Sequence, residues 1–522
     1  IYDIPTSDIS GSHQYQKESI DDEFYRTRSS SDWNQDVWIY GASPFGSSVR
    51  IANNVISGNR GINVLSPSRT ASATDTMVAL IKSSHNTGYM HGDIQLAYLS
   101  DTDDTDLAGG EIITGNNSTF GSGVGNWTGG ASSGSPTVTN NSNRLYVDSN
   151  GSSYPRVQLN VGTQSAGTYT LSGKYYYSGG IPVIVTGTGA GSYILDEYGG
   201  DDVAKLQEGT NLTRNFSRTF TIASSFDTIG FRMNVAGGTH IMHFDDLQLI
   251  KAERNRTTNA NHLRAFGTIT KNPVAAGAEL VSYSFANQSS YLTMPYDTDI
   301  VNVGTGNFSV MGWFYNSPRG VTFFDIADSS APRFFVAQMF NSDNFWFYMN
   351  AGSGGASWTT GGGAYNSGVE LKNYWQFIAC KRVGTTFSYS FNGLDFVSQT
   401  AAGWGGNMSG TPFVTVGQNY THTSSAATGQ MALWRFSHTD ISIGQVKKIY
   451  FDERKLFAEN AKCTLHGTSD AVNALAYDDK TNIIHVGTSA GRSEFQGIQR
   501  INNTTTAVTT AISVSNGLVA EQ

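Results

Sequence analysis

Cysteine is almost absent: Cys380 and Cys463 are the only two in 522 residues. A disulfide scaffold is thereby excluded. A Cys380–Cys463 pair stays open beside the main expectation of one buried thiol and one loop thiol. Charge is scarce too, at 14% of residues with a formal net charge of −9, and the 33 Lys and Arg form no long basic run. Phosphate binding needs a clustered cationic footprint, so no nucleic-acid partner is expected. Apolar runs are short, such as Phe334–Val336 and Phe345–Tyr348, so no membrane insertion is expected. Leu/Glu/Lys/Ala-rich stretches at helical spacing are nearly missing as well, which disfavours helices. The chain opens at Ile1 without a signal-peptide pattern, as expected of a processed chain or a piece of a longer one.

What is abundant points one way. There are 58 glycines, aromatics reach 12%, and Ser, Thr and Asn fill most other positions. Short strands, tight turns and aromatics between sheets use such a mixture, so the chain reads as all-β and multidomain. Its length corresponds to about three domains. Residues 1–110 give short strand-like runs with a turn at Ser57-Gly58-Asn59-Arg60-Gly61. Residues 111–250 are rich in Gly, Ser, Thr and Asn, with alternating runs such as Arg156–Val161 and Thr168–Tyr175 that mark half-buried strands. A connector, 251–277, begins with the polar, basic Lys251–Arg264. Residues 278–457 form a third domain, and 460–522 return to short strands. Asn-x-Ser/Thr patterns such as Asn126-Trp-Thr and Asn419-Tyr-Thr are what so much Asn, Ser and Thr produces by chance.

The third domain reads strand by strand. Tyr283–Phe285, Tyr291–Met294, Phe308–Phe314, Trp375–Cys380, Phe387–Phe391, Phe413–Val416 and Met431–Phe436 are its strands. Asn392-Gly393 is a hairpin turn, because both positions tolerate φ > 0. Ser442 caps one helix, whose Val446, Ile449 and Tyr450 share a face. The natural product is a two-sheet sandwich closed by one short helix.

The order Phe285, Tyr291-Leu, Asn307-Phe-Ser-Val-Met-Gly-Trp-Phe, Tyr374-Trp-Gln-Phe, Tyr389-Ser-Phe-Asn-Gly, Gly429-Gln-Met-Ala-Leu-Trp-Arg-Phe and Ile443–Tyr450 resembles the laminin-G-like, concanavalin-A-like jelly roll. That resemblance covers the third domain and implies a carbohydrate- or protein-binding sandwich, often with Ca2+ at the loop edge. Ala432 and Leu433 depart from it where an acidic residue often stands, which puts Ca2+ there in doubt. The second domain resembles the galactose-binding-like jelly roll of carbohydrate-binding modules, through Gly125-Asn-Trp127, Gly167-Thr-Tyr-Thr-Leu and Phe244-Asp-Asp-Leu-Gln-Leu. Ala471–Asp479, Asn482–Gly491 and Ile498–Ile501 resemble one β-propeller blade, and Gly61-Ile-Asn-Val-Leu echoes it weakly. One blade cannot close a propeller. Either the two ends meet as a partial sheet with the other modules inserted, or further sequence or other chains complete a ring. The string of modules resembles structural and adhesion proteins of marine bacteriophages.

Catalytic motifs are missing: there is no G-x-S-x-G elbow, no Walker loop and no H-E-x-x-H helix. His240 and His243 fall on opposite faces if their run is a strand, so a shared metal is not expected. Asp245-Asp246 is a carboxylate pair whose side chains diverge on a strand, unlike the facing carboxyls of a glycosidase. Asp101, Asp103, Asp104 and Asp106 offer alternate carboxylates to Ca2+, against the plainer reading of a solvated linker. No other cofactor is implied.

Loop aromatics favour sugar recognition. Trp358 and Trp404 are flanked by glycines, and Tyr420 follows Asn419; rings stack on sugar CH faces while amides bond hydroxyls. The alternatives are a local core under each loop or a subunit interface. The expected role is therefore a non-enzymatic carbohydrate-binding or adhesion component of a virion, as a phage tail fibre or capsid appendage, or of an extracellular surface. Its partners would be cell-surface glycans or polysaccharide and other subunits, within a homo-oligomer. A purely structural decorating or cementing protein, and the binding part of a secreted polysaccharide-degrading enzyme, are the alternatives.

Overall fold

The computed structural model describes residues 77–91, 94–188, 211–257, 262–285, 287–295, 303–315, 322–327, 373–400, 412–419 and 429–522, strand pieces at 13–17, 24–29, 37–40, 50–52, 55–58, 61–66, 193–195, 333–339, 344–350 and 364–370, and Leu206 and Val301. Antiparallel sheets dominate, so the chain is all-β, as its composition requires. It divides into two compact units. The smaller holds residues 107–254 and 262–267, and the larger holds 1–106, 255–261 and 268–522.

The smaller unit is a sandwich of two sheets, each of five strands among the described residues. Its strands are β1 (Thr128–Gly130), β2 (Thr137–Asn140), β3 (Leu145–Asp148), β4 (Arg156–Gln164), β5 (Gly167–Ser178), β6 (Pro182–Gly187), β7 (Tyr193–Leu195), β8 (Arg214–Ile222), β9 (Phe226–Met233) and β10 (Ile241–Glu253). One sheet runs β2-β3-β10-β5-β8, and the other β1-β4-β9-β6-β7. Alternation decides what each face does. In β5, Tyr175 and Tyr177 are buried while Lys174 and Tyr176 face outward. The dry face meets Phe231, which stacks on Phe244 at 3.8 Å and on Trp127 at 6.1 Å. The Trp127 indole N–H donates to the Asn117 carbonyl at 2.8 Å, so its burial strands no donor. Strand β10 outlasts the second-domain boundary read from sequence: Ala252 and Glu253 pair with Arg264 and Leu263. The stretch read as a polar connector therefore holds strand at both ends, because Lys251 is buried along its stem and donates to Ser165 Oγ at 3.0 Å.

In the larger unit two antiparallel sheets stack. The first contains Val281–Phe285, Gln430–Ser437, Phe308–Tyr315, Gln376–Val383, Thr386–Phe391 and Val397–Thr400. The second contains Tyr291–Met294, Phe413–Val416, Thr322–Ala327, Arg333–Met339, Asn344–Asn350 and Ala364–Glu370. Trp434 and Phe436 of the first meet Phe323 and Phe324 of the second, each pair at 5.8 Å. Behind the first sheet, Met311, Trp313, Phe377 and Ala379 share a core with Val446 and Ile449 of the helix Ile443–Glu453 and with residues from both chain ends. Coverage on both faces explains why Phe308–Phe314 is buried without alternation. Ser442 caps that helix with a full capping box through Gln445. Asn392 and Gly393 both have positive φ, at 49° and 72°, as a primed hairpin turn requires.

The two ends of the chain do meet. Gly61 N–H donates to the Asp470 carbonyl at 2.8 Å, and Leu465 N–H to the Lys82 carbonyl at 2.9 Å. Asn86 Nδ2 bonds the carbonyls of Cys463 and Ile498, each at 2.8 Å. Among the described residues the ends form separate sheets of three, five, four and two strands, and the five- and four-stranded ones pack on a common core rather than joining into one. Cys380 and Cys463 are both free and both buried, and burial pushes both thiols up. The loop thiol of the sequence reading is thus a core thiol, because Asn86 and Glu279 clamp its segment to the body.

Candidate ligand-binding face

Trp358, Trp404 and Tyr420 lie outside the described residues. Asn419 is half-buried in the segment that follows the strand Phe413–Val416. Its backbone N–H donates to Oε1 of the buried Gln418 at 2.9 Å, and Gln418 Nε2 donates to the Gln288 carbonyl at 3.1 Å. The acidic run is exposed at Asp103, Asp104 and Asp106, and local hydrogen bonds order it. Asp101 Oδ2 lies 3.3 Å from both Arg256 and Lys271, while its Oδ1 accepts the Thr102 N–H at 2.8 Å. Asp103 accepts the Thr105 N–H, Asp106 accepts the Lys271 N–H, each at 2.9 Å, and Asp104 is exposed. The carboxylates of Asp101, Asp103 and Asp106 are committed to cations or backbone donors. Among the described residues, no group of three or more His, Cys, Asp or Glu is placed to hold a metal ion.

The wet face of the β2-β3-β10-β5-β8 sheet presents a different arrangement. A bulge interrupts the β5–β10 ladder between Ser172 and Lys174. Gly173 is required there, since a Cβ would come within 2.8 Å of Leu247 Cδ2 and 2.9 Å of the Asp245 carbonyl. Opposite it, Asp246 takes a left-handed φ of 51°. Bulges re-aim side chains, and strain of this kind gathers at sites of function. Here the bulge sets the Asp246 carboxylate 2.5 Å from Lys174 Nζ on the outer surface. Asp245 instead accepts the Asp246 N–H at 2.9 Å. The two carboxylates of this pair therefore do separate jobs.

Around that ion pair lies a groove of about 450 Å3, whose lining includes Ser118, Ser172, Asn215, Phe216 and Gln248. Beside it stands Arg264, which donates to Gln248 Oε1 at 3.4 Å and to Ser172 Oγ at 3.3 Å. Burial holds the Arg264 guanidinium below its ordinary range against the pull of Glu111, and burial likewise raises the Glu111 carboxyl.

One step along the strands from Lys174, an aromatic row crosses the sheet. The register sets Tyr146, His243 and Tyr176 side by side on β3, β10 and β5. Centroids are 6.3 Å apart for Tyr146–His243 and 4.4 Å for Tyr176–His243, with rings within 15° and 5° of parallel. Tyr176 Oη donates to Asn211 Oδ1 at 3.0 Å. Desolvation, aided by Arg144, lowers the His243 pKa to about 4, so the ring is neutral near pH 7. Desolvation and then Asp148 raise the Tyr146 phenol, which stays protonated. His240, just before β10, faces the Gly237 carbonyl at 3.0 Å and shares nothing with His243. Sequence reading passed over this row. Its signal was Tyr175-Tyr176-Tyr177 in an alternating strand, where one of three tyrosines must face water.

No family profile matches the chain, and no curated protein is similar to it in sequence. Solved structures similar to parts of it include domain 4 of AbnA, a GH43 extracellular arabinanase from Geobacillus stearothermophilus, in complex with arabinotriose. That match has 15% identity and a TM-score of 0.27, covering 35% of this chain and 82% of that one. The binding domain of Paraclostridial Mosquitocidal Protein 1 matches at 9% identity and a TM-score of 0.32, over 46% of this chain and 62% of that one. The Botulinum neurotoxin serotype G binding domain matches at 9% identity and a TM-score of 0.31, over 53% and 62%. The chain thus spans about three fifths of the toxin binding domains it matches.

Proposed function

We propose that the smaller unit is a non-catalytic carbohydrate-binding module, and that the chain serves as an adhesion component at an extracellular or virion surface. One observation carries this: a groove of hydroxyl, amide and ion-pair groups shares the wet face of one sheet with an uncharged aromatic row, Lys174 of the groove and Tyr176 of the row facing outward from the same strand. A sugar needs that combination, with polar groups for its hydroxyls and ring carbon for its CH faces. Acid–base hydrolysis would need two carboxyls facing each other across the ligand. Asp246 is neutralised by Lys174 and Asp245 is bonded to backbone, so the pair suits binding. Loop aromatics Trp358, Trp404 and Tyr420 with Asn419 would form a second site in the larger unit.

A glycan-array screen of the full chain tests this, repeated with Tyr176→Ala, Lys174→Met, Trp358→Ala and Trp404→Ala. Selective binding lost in the first two variants is the expected result. Loss only in the tryptophan variants moves the site to the larger unit. No binding by the folded wild type to any glycan overturns the reading in favour of a structural protein held by protein contacts.

A further inference from the structure

Building on that reading, we propose that the groove selects a sugar bearing an acetamido group. Arg264 has donors only, so whichever atom of the Gln248 amide faces it is the oxygen. The Gln248 NH2 is thereby turned away from the guanidinium, towards the groove it lines. Ser172 Oγ likewise accepts from Arg264, which leaves its own hydrogen to donate elsewhere. The groove therefore offers two neighbouring neutral donors held in fixed orientation. A plain hydroxyl that accepts from both must still place its own hydrogen, whereas an acyl oxygen accepts and has nothing to donate.

One further group narrows the acyl class. Asp246 is the groove's anionic acceptor, suited to an amide N–H, which a carboxylate lacks. Charge argues the same way. Lys174 and Asp246, the charged groups of the groove lining, neutralise each other at 2.5 Å, and Glu111 acts on Arg264 as a counter-charge, so the lining itself carries no net positive charge to call for a uronate. The groove thus matches C=O and N–H of one acetamido group, with Arg264 as a positioning residue behind Gln248 and Ser172.

The test is calorimetric titration of the full chain with the trisaccharide of N-acetylglucosamine, with cellotriose, which has hydroxyls in place of the acetamides, and with a triuronate. The N-acetylated sugar should bind at least about tenfold more tightly than either of the others, the scale of one satisfied polar recognition. Gln248→Glu keeps size and can pair with Arg264, so the fold and melting temperature hold, yet it turns a donor into an acceptor and should erase the preference. Arg264→Met should erase it as well, and Arg264→Lys, which still donates, should restore part of it. Equal affinity for the N-acetylated sugar and cellotriose, a preference for the triuronate, or a preference indifferent to Gln248→Glu overturns the acetamido assignment. If sugars still bind in a manner sensitive to Tyr176→Ala, the face remains the site and only its specificity is wrong. No binding of any sugar sinks both.

Discussion

The two units solve the same packing problem in opposite ways. In the larger unit the strand Phe308–Tyr315 is buried along almost its whole length, because a second sheet covers one face and the helix with both chain ends covers the other. Any polar group entering that sheet must bring its own partner. Arg435 does so: its Nη2 lies 2.9 Å from Glu453 Oε2, and Trp313 Nε1 and Tyr89 N–H donate to the same carboxylate at 2.8 and 2.7 Å. In the smaller unit the sheet keeps one face wet, and side chains there are not needed to close a core. A doubly covered sheet is a scaffold, whereas a singly covered one has a surface to spend on recognition. This contrast puts the ion pair of the larger unit to structural use and that of the smaller unit within reach of a ligand.

The largest expected effect lies in the larger unit. Glu453→Gln leaves the buried Arg435 guanidinium uncompensated, which should cost about 3–5 kcal/mol in denaturant unfolding of that unit. Sugar binding by the smaller unit should be untouched. A cost under about 1 kcal/mol would show the pair to be solvated and dissolve the contrast. Acid should discriminate next. His91 is fully buried, beside Ser309 Oγ at 3.3 Å, and desolvation followed by Arg435 lowers its pKa to about 3. A depressed histidine pKa means the unfolded chain binds more protons between roughly pH 3 and 6.5. The larger unit should hold this stability in full above pH 6.5 and lose about 3 kcal/mol of it by pH 4. His91→Asn should flatten that slope; an unchanged slope in urea titrations at stepped pH would assign the acid response elsewhere. Gly173→Ala comes third. The new methyl meets Leu247 and the Asp245 carbonyl, so about 2 kcal/mol is expected from overpacking, with loss of sugar binding as Asp246 shifts.

How far the sequence foretold this follows the same divide. Composition fixed the all-β class, and the strands at Phe308, Gln376 and Gln430 with the Asn392-Gly393 turn and Ser442 cap were legible because each is a local signal. Arg435 and Glu453 were not read as partners, though an arginine inside Met-Ala-Leu-Trp-Arg-Phe was the clue; 18 residues separate them, and only the helix docking unites them. The groove was illegible for a stronger reason. It needs a bulge that sets Asp246 across from Lys174, 72 residues away in sequence, and Arg264 behind both Gln248 and Ser172. Alternation reveals that a strand has a wet face and not which strands lie beside it. Loop tryptophans stand out in a sequence, whereas a row assembled from three strands does not.

The smallest effect on stability should fall on that row. Tyr176 and His243 stack at 4.4 Å on the outer surface, and cross-strand aromatic pairs contribute about 0.2–1 kcal/mol. Tyr176→Ala should therefore lower the melting temperature of the smaller unit only slightly while reducing glycan affinity about tenfold or more, the scale of a lost aromatic contact with a ligand. Tyr175→Ala is the control, one residue away on the dry face, where truncation opens a cavity worth about 3–5 kcal/mol. Adjacent tyrosines in one strand would then separate cleanly, one acting on folding and the other on binding. Should Tyr176→Ala destabilise the unit as much as Tyr175→Ala, the row belongs to the core, and the wet face would lose its claim to be the site.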